Sequence, residues 1–404
     1  MDKNFFWGAA TSAHQVEGNN RNDWTEWEKS ESRIKDLESK IQNGEFRKKL
    51  PPHLWSKWPT PDDLNNYISG KACEHYNRFR EDFDIAKSLG HNAHRFSIEW
   101  SRIEPEEGRF DEKEVTHYRE IIKALRERGI EPFVTLWHFT LPLWVTNLGG
   151  WESSKTIFYF SRYCERMCSA FKGEVRYWMT LNEPAEWAAQ AYLYDLWPPQ
   201  KRNFLKNRRV YFNLLKAHKE AYTRMKTVGS NLHVGIAKSM EWWEPGWTRP
   251  LIHYLRNYFF LDRISRHLDF VGLNYYQRKC IFRKPSGEVS DMGWESYPDG
   301  MYYFLLKSWR RWQKPIYITE NGIANVKDDK RAKFIKDHIA AMRRAMKEGA
   351  DVRGYFHWSL LDNFEWDSGF WPRFGLVEVN YKTQERKIRE SAKVYQEIIL
   401  NSRF

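Results

Sequence analysis

From about residue 73 onward, the apolar positions of the 404-residue chain switch repeatedly between two spacings. Short apolar, β-branched runs read as strands, and stretches with apolar residues every three or four positions read as helices. The strand runs are Asn92–Trp100, Glu131–His138, Arg176–Glu183, Leu232–Lys238, Asp269–Tyr275, Pro315–Gly322 and Val352–Trp358, with Phe5–Ala10 as an earlier one. The helical patterns cover Cys73–Leu89, Lys113–Arg128, Tyr159–Phe171, Arg209–Lys226, Ser296–Trp309, Lys330–Lys347 and Glu390–Leu400. Alternating strands and helices imply a parallel sheet. Eight strands match a (β/α)8 TIM barrel, an α/β fold, and the length leaves room for long βα loops. No repeat, low-complexity tract or linker divides the chain, so residues 1–404 read as a single barrel domain. Residues 20–70 are charged and carry Pro51, Pro52, Pro59 and Pro61; they read as an irregular surface excursion held down by Trp24, Trp27, Trp55 and Trp58.

The run Pro315–Gly322 poses the chemical question. Strict alternation puts Ile316, Ile318 and Glu320 on one face. A carboxylate on a buried face is costly without partners, and this stretch alone favours a glutamate frayed into solvent at the strand tip. Barrel enzymes, however, place their sites at the C-terminal strand ends. Those ends carry Gln15, Arg95, His138, Asn182, Glu183, Asn274, Tyr276, Glu320 and Trp358, with Glu365 and Trp366 just beyond. Core packing would favour aliphatic residues there. Two carboxylates facing each other across one barrel mouth are what glycoside hydrolysis requires: one protonates the leaving oxygen, the other attacks the anomeric carbon or activates water.

Composition adjusts this picture. The 21 tryptophans suit stacking on sugar faces or nucleobases. The net charge of +12, with basic aromatic runs at Lys201–Arg209 and Lys307–Lys314, raises a nucleic-acid reading. The positives are dispersed, which favours a solvated basic surface and no nucleic-acid partner. The four cysteines, Cys73, Cys164, Cys168 and Cys280, have no zinc spacing, so no metal and no cofactor is expected. Their scarcity, with no signal-peptide pattern and no long apolar run, reads as a reduced, cytoplasmic protein with no membrane partner.

Several stretches identify a family. Thr180–Pro184 (TLNEP), Ile318–Gly322 (ITENG), Arg95–Ile103 (RFSIEWSRI), Val271–Tyr276 (VGLNYY) and Trp358–Trp366 (WSLLDNFEW) occur in order along nearly the whole chain. The sequence resembles glycoside hydrolase family 1, the β-glucosidase family. The Asn-Glu-Pro motif is shared with related barrel glycosidases, but its combination with Thr-Glu-Asn-Gly and the stretch from Trp358 is specific. The resemblance implies a retaining exo-β-glycosidase working by double displacement, with Glu320 as nucleophile, Glu183 as acid/base, and carboxyl groups about 5–5.5 Å apart. It implies that Arg95 and Tyr276 hold Glu320 ionised, that Asn182 binds the 2-hydroxyl, and that Gln15, His138, Asn274, Glu365 and Trp366 serve the sugar above a Trp358 floor. Glu99 and Asp362 read as structural. Glu365 stands where phosphosugar-specific branches differ, so neutral glucosides, and with them galactosides and fucosides, are expected. A transglycosylase with the same intermediate and a non-catalytic carbohydrate-binding relative are the alternatives.

Three departures stand out. Ser239–Leu268 is short for the family, which predicts a trimmed rim between strands 5 and 6. Tyr192–Pro199 lacks an expected glycine, and His94 replaces a usual tyrosine. Trp242, Trp243 and Trp247 either cover the gap or form a subunit contact, leaving a homo-oligomer open.

Overall fold

The computed structural model describes residues 5–244, 250–280 and 284–402. Eight strands form one closed barrel: β1 (Phe6–Ala10), β2 (Ala93–Ser97), β3 (Glu131–Trp137), β4 (Tyr177–Asn182), β5 (His233–Ser239), β6 (Val271–Asn274), β7 (Ile316–Asn321) and β8 (Val352–Trp358). Every strand pairs in parallel with its sequence neighbours, and β8 closes on β1. This is the (β/α)8 architecture expected from the alternating pattern.

Two apolar layers hold it. Inside the barrel pack Ala10, Ala93, Phe133, Met179, Ala237, Phe270, Tyr317 and Phe356. Outside, the strands' other face meets the helical shell. That shell includes α1 (His75–Ser88), α2 (Glu112–Glu127), α3 (Lys155–Ala170), α4 (Phe204–Val228), α5 (Pro250–Asn257), α6 (Phe259–Ile264), α7 (Pro298–Trp312), α8 (Arg331–Lys347) and α9 (Glu390–Asn401). In α2 the stripe Val115, Tyr118, Ile121, Ile122 and Leu125 is buried, the helical spacing that announced it in the sequence. Between β5 and β6 the shell is reduced to the short α5 and α6. Trp242 packs there against Tyr297, Tyr303 and Phe304, closing the flank from within. Trp247 lies outside the described residues.

Two expectations are corrected. Residues 20–70 are not irregular: helices span Asp23–Glu28, Glu31–Gln42 and Glu45–Lys49. Local caps outweigh the high charge. Asn22 and Thr25 form a reciprocal capping box, and the Ser30 hydroxyl accepts from the Arg33 amide. Trp24 is buried and anchors the segment, whereas Trp58 is exposed.

The second correction concerns alternation in β7. Ile316 and Ile318 face the helices, and Tyr317 faces the barrel interior. Glu320 also turns to the barrel mouth, so it does not share the isoleucines' face. The register explains this. Leu273 pairs with Ile318 and Asn274 with Glu320, so β7 carries an extra residue at Thr319. Against β8 the same shift recurs, with Tyr355 opposite Ile318 and His357 opposite Asn321. A bulge flips the side-chain phase and re-aims the glutamate inward.

Candidate active site

The mouth of the barrel holds a cleft of about 260 Å³. His138, Asn182, Glu183, Tyr276, Glu320, Trp358, Glu365 and Trp366 all line it. Gln15, Arg95 and Asn274 sit behind this wall and act on its members through hydrogen bonds.

Glu320 is buried at the end of β7. Arg95, from β2 across the barrel, donates to one carboxylate oxygen, and the Tyr276 hydroxyl donates to the other at 2.5 Å. Arg95 is itself fixed by the Thr135 hydroxyl (3.1 Å) and the Asn182 carbonyl oxygen (2.8 Å). These two donors, one of them cationic, stabilise negative charge on an otherwise buried group. Close approach of the main chain supports the arrangement: a Cβ on Gly322 would stand 1.8 Å from the Trp358 carbonyl oxygen, so only glycine fits after Glu320-Asn321.

Glu183 follows the last residue of β4 and is half-buried. Its backbone is left-handed at φ 41°, a conformation unusual for a residue with a Cβ and common where function fixes the chain. Its amide donates to the Ala237 carbonyl (2.8 Å), and Pro184 starts helix 184–192 directly after it. Asn274 Nδ2 donates to Glu183 at 2.8 Å and contacts Asn182 Oδ1 at 3.3 Å, while the Thr319 hydroxyl orients Asn274 at 2.6 Å. A continuous relay therefore joins the carboxylates: Glu320, Arg95, Asn182, Asn274, Glu183. Burial, followed by the nearby Glu320 charge, pushes the Glu183 carboxyl up to about 8.

One wall of the cleft is aromatic and amide-rich. The His138 ring stacks between Trp358 (6.0 Å) and Trp366 (5.9 Å). Asn182 Nδ2 donates to His138 Nε2 at 3.1 Å, which puts the ring proton on Nδ1. Burial, then the Arg95 charge, holds His138 far below the usual histidine range, so it is neutral. Gln15 spends its amide protons on Asn363 (2.9 Å), the Phe364 carbonyl (2.7 Å) and Glu365 (3.4 Å). Burial, with Glu320 and Asp367 nearby, pushes Glu365 up to about 8. His94 is buried, its ring 3.2 Å from the Thr11 hydroxyl. Glu99 binds Ser101 and Thr140, and Asp362 binds Arg389 through two 2.8 Å bonds, so both serve the scaffold.

The opposite wall of the cleft is charged, and none of its residues was singled out from the sequence. Glu186, Glu241 and Lys279 line the cleft there. Glu241 pairs with Lys279 (2.5 Å) and Arg256 (3.6 Å) and accepts from the Trp243 indole (2.9 Å). Lys238, buried on β5, is pushed down to about 8 by burial. Two signals were available: Glu186 lies in the first turn of the helix that Glu183 leads into, and Lys238 and Glu241 flank the end of strand 5, which carries no site residue in the sequence reading.

Comparison with known proteins is consistent with this geometry. The model of glycosyl hydrolase family 1 matches residues 1–251 and 260–404, breaking only inside the shortened segment between β5 and β6. Beta-glucosidase A of Thermotoga maritima is 32% identical, covering 98% of this chain and 97% of its own. A beta-galactosidase of Saccharolobus solfataricus is 32% identical over 86% of this chain and 89% of its own. Among solved structures, the Thermotoga maritima beta-glucosidase in complex with noeuromycin superposes with a TM-score of 0.85 at 30% identity, covering 99% of this chain and 98% of that one. A beta-glycosidase from Pyrococcus horikoshii reaches 0.82 at 38% identity over 99% and 94%. The chain belongs to glycosyl hydrolase family 1.

Proposed function

We propose that the protein is a retaining exo-β-glycosidase acting on neutral β-D-glucosides and related galactosides and fucosides. The observation that carries this reading is the contrast between two glutamates in one cleft. Glu320 is charge-stabilised by Arg95 and Tyr276. Glu183, with no cation hydrogen-bonded to it among the described residues, holds its proton up to about pH 8.

Glu320 attacks the anomeric carbon as the bond from that carbon to the leaving oxygen breaks, and Glu183 gives its proton to the leaving oxygen. Esterification then removes the Glu320 charge that had helped keep Glu183 protonated. Glu183 becomes a better acid in that state, its anion takes a proton from water, and the resulting hydroxide equivalent cleaves the glycosyl ester. Asn182, held by Arg95 and Asn274, is placed to meet the 2-hydroxyl. Trp358 offers an aromatic face to the ring, and His138, Glu365 and Trp366 the remaining contacts, with Gln15 positioning Glu365 from behind.

Neutral sugars follow from charge. Glu320, Glu365 and Asp367 cluster where a 6-substituent would reach, and burial, with the charges of Glu320 and Asp367, already raises Glu365. A phosphate would add to that repulsion. The galactoside reading draws on relatives named beta-galactosidase, the glucoside reading on those named beta-glucosidase. Whether water or a second sugar accepts the glycosyl group depends on the leaving-group side, so transglycosylation remains the alternative outcome of the same intermediate. The described cysteines Cys73, Cys164 and Cys168 are buried free thiols, which supports a reduced, cytoplasmic setting. No described helix is long and apolar enough to cross a membrane.

The test is turnover of aryl β-glycosides: glucoside, galactoside and fucoside are cleaved with the β-anomer released first, and their 6-phosphates are not. Absence of turnover across the set, or first release of the α-anomer, would overturn the reading.

A further inference from the structure

One flank of the barrel carries an exposed apolar surface that the reaction does not use. Phe204 and Leu205 at the start of α4 are 70% and 72% exposed, and Leu251 on α5 is 66% exposed. Phe212, Ile252 and Leu255 are also exposed. Helical spacing puts Phe204, Leu205 and Phe212 on one face of α4, and Leu251, Ile252 and Leu255 on one face of α5. Ring contacts join the two helices: Phe212 meets Phe259 at 6.5 Å, and Phe259 meets Tyr254 at 6.1 Å. Isolated exposed leucines are ordinary, but bulky residues exposed together mark an interaction site.

The same face is basic. Arg208 and Arg209 lie on the outward side of α4, and Arg202 just precedes it. Among the described residues these three arginines form no ion pair, although Arg208 lies over the Phe212 ring. Lys201 and Lys206 at its edge both pair with Glu152, and Asp195 is an exposed carboxylate nearby.

We propose that this face docks on an anionic lipid surface. Apolar side chains standing out from a helix beside unpaired arginines are the chemistry of interfacial attachment, in which buried apolar area and attraction to acidic headgroups add. The competing occupant, a second copy of the chain, fits less well: a two-fold contact would bring two arginine-bearing surfaces of like charge together. An acidic protein partner would match the charge, yet the apolar residues stand exposed on the outward faces of two helices. The surface stands independently of the reaction assigned to the cleft. It also differs from a membrane span, which the chain's described helices are too polar to make.

Flotation of the purified protein with vesicles tests this. Binding is expected to phosphatidylcholine vesicles containing phosphatidylglycerol, to weaken with added salt, and to be about tenfold or more lower with phosphatidylcholine alone. Leu205→Glu with Leu251→Glu should abolish flotation, and R202E with R208E and R209E should lower it about tenfold or more. Each variant should keep wild-type turnover of a soluble aryl glycoside, which reports intact folding. Failure of the wild type to float with acidic vesicles overturns the proposal. So does unchanged flotation of either variant, or a solution dimer that Leu205→Glu dissociates.

Discussion

The two sides of the cleft are built by different means. The sugar side stands on strand ends and is held by amides, neutral rings and one arginine: Gln15, His138, Asn182, Arg95. Gln15 is held within the barrel by three acceptors for one amide nitrogen, and Asn182 and Arg95 by each other. The leaving-group side stands on the segments after β4, β5 and β6 and is held by ion pairs among Glu186, Glu241, Arg256 and Lys279. The first arrangement fixes geometry around one kind of ring. The second sets an electrostatic field around a group that varies, and it lies where the outer shell is thinnest. The two glutamates sit between them, Glu320 anchored by Arg95 and Tyr276 and Glu183 through Asn274.

The sharpest break in this comparison removes its shared centre. Glu320→Gly should lower turnover by at least about 10⁴-fold. Azide should restore product as the α-glycosyl azide, since the small anion enters from the face the carboxylate vacated. Wild-type-like turnover in that variant, or rescue giving the β-azide, would show that the nucleophile is elsewhere. Mass spectrometry and proton NMR of the product read both outcomes.

Asn274→Ala attacks the junction. It removes the 2.8 Å donor to Glu183 and one support of Asn182. Turnover should fall by roughly 10–10²-fold through misplaced acid and base, as general acid–base contributions of this kind suggest. The loss should be smaller for substrates whose leaving group needs no proton, such as dinitrophenolates. An equal loss on both substrate types would mean Asn274 acts on the sugar side alone.

What the sequence made legible follows the same division. The barrel's count, its helices and its strand-end residues were readable because apolar period and strand termini are local properties. Glu183 and Glu320 came from that rule, and the family motifs gave them roles. The bulge at Thr319 was not readable: one extra residue leaves the same apolar pattern, and only pairing with Asn274 and His357 reveals the flipped phase. The helices at 23–49 were hidden by prolines and charge, although Asn22-x-x-Thr25 carried a capping signal. The ion pairs of Glu241 were unreadable because its partners Arg256 and Lys279 are brought close only by the turn of the shortened segment.

The pH profile sharpens the comparison more gently. Glu183 must carry its proton for the first step, so kcat/KM on the free enzyme should fall as pH rises through about 8. The Lys238 charge favours the Glu183 anion and so lowers that limit. Lys238→Met removes the charge, the proton is held more tightly, and the alkaline limb should move to higher pH by roughly half a unit. The shift is partial because Lys238, pushed down to about 8 by burial, loses its own proton in the same range. Gln15→Ala, on the other side, should raise KM several-fold and leave the limb in place. A limb that moves with Gln15 and not with Lys238 would reverse the assignment of the two sides.

The smallest effect is the most specific. Glu241 neutralises Lys279 and Arg256 beside the leaving group, and Glu241→Gln leaves both cations facing the cleft. Glu241 is buried, whereas Lys279 is partly exposed and screened by water, so the loss of folding stability should be about 1–3 kcal/mol. The added positive potential should favour anionic leaving groups: the kcat/KM ratio of a carboxyphenyl glucoside to its neutral phenyl counterpart should rise about three- to tenfold. The ratio of glucoside to galactoside should not change, because the sugar contacts belong to the other wall. If both ratios moved together, the two sides would be one coupled site, and the division drawn from their construction would fail.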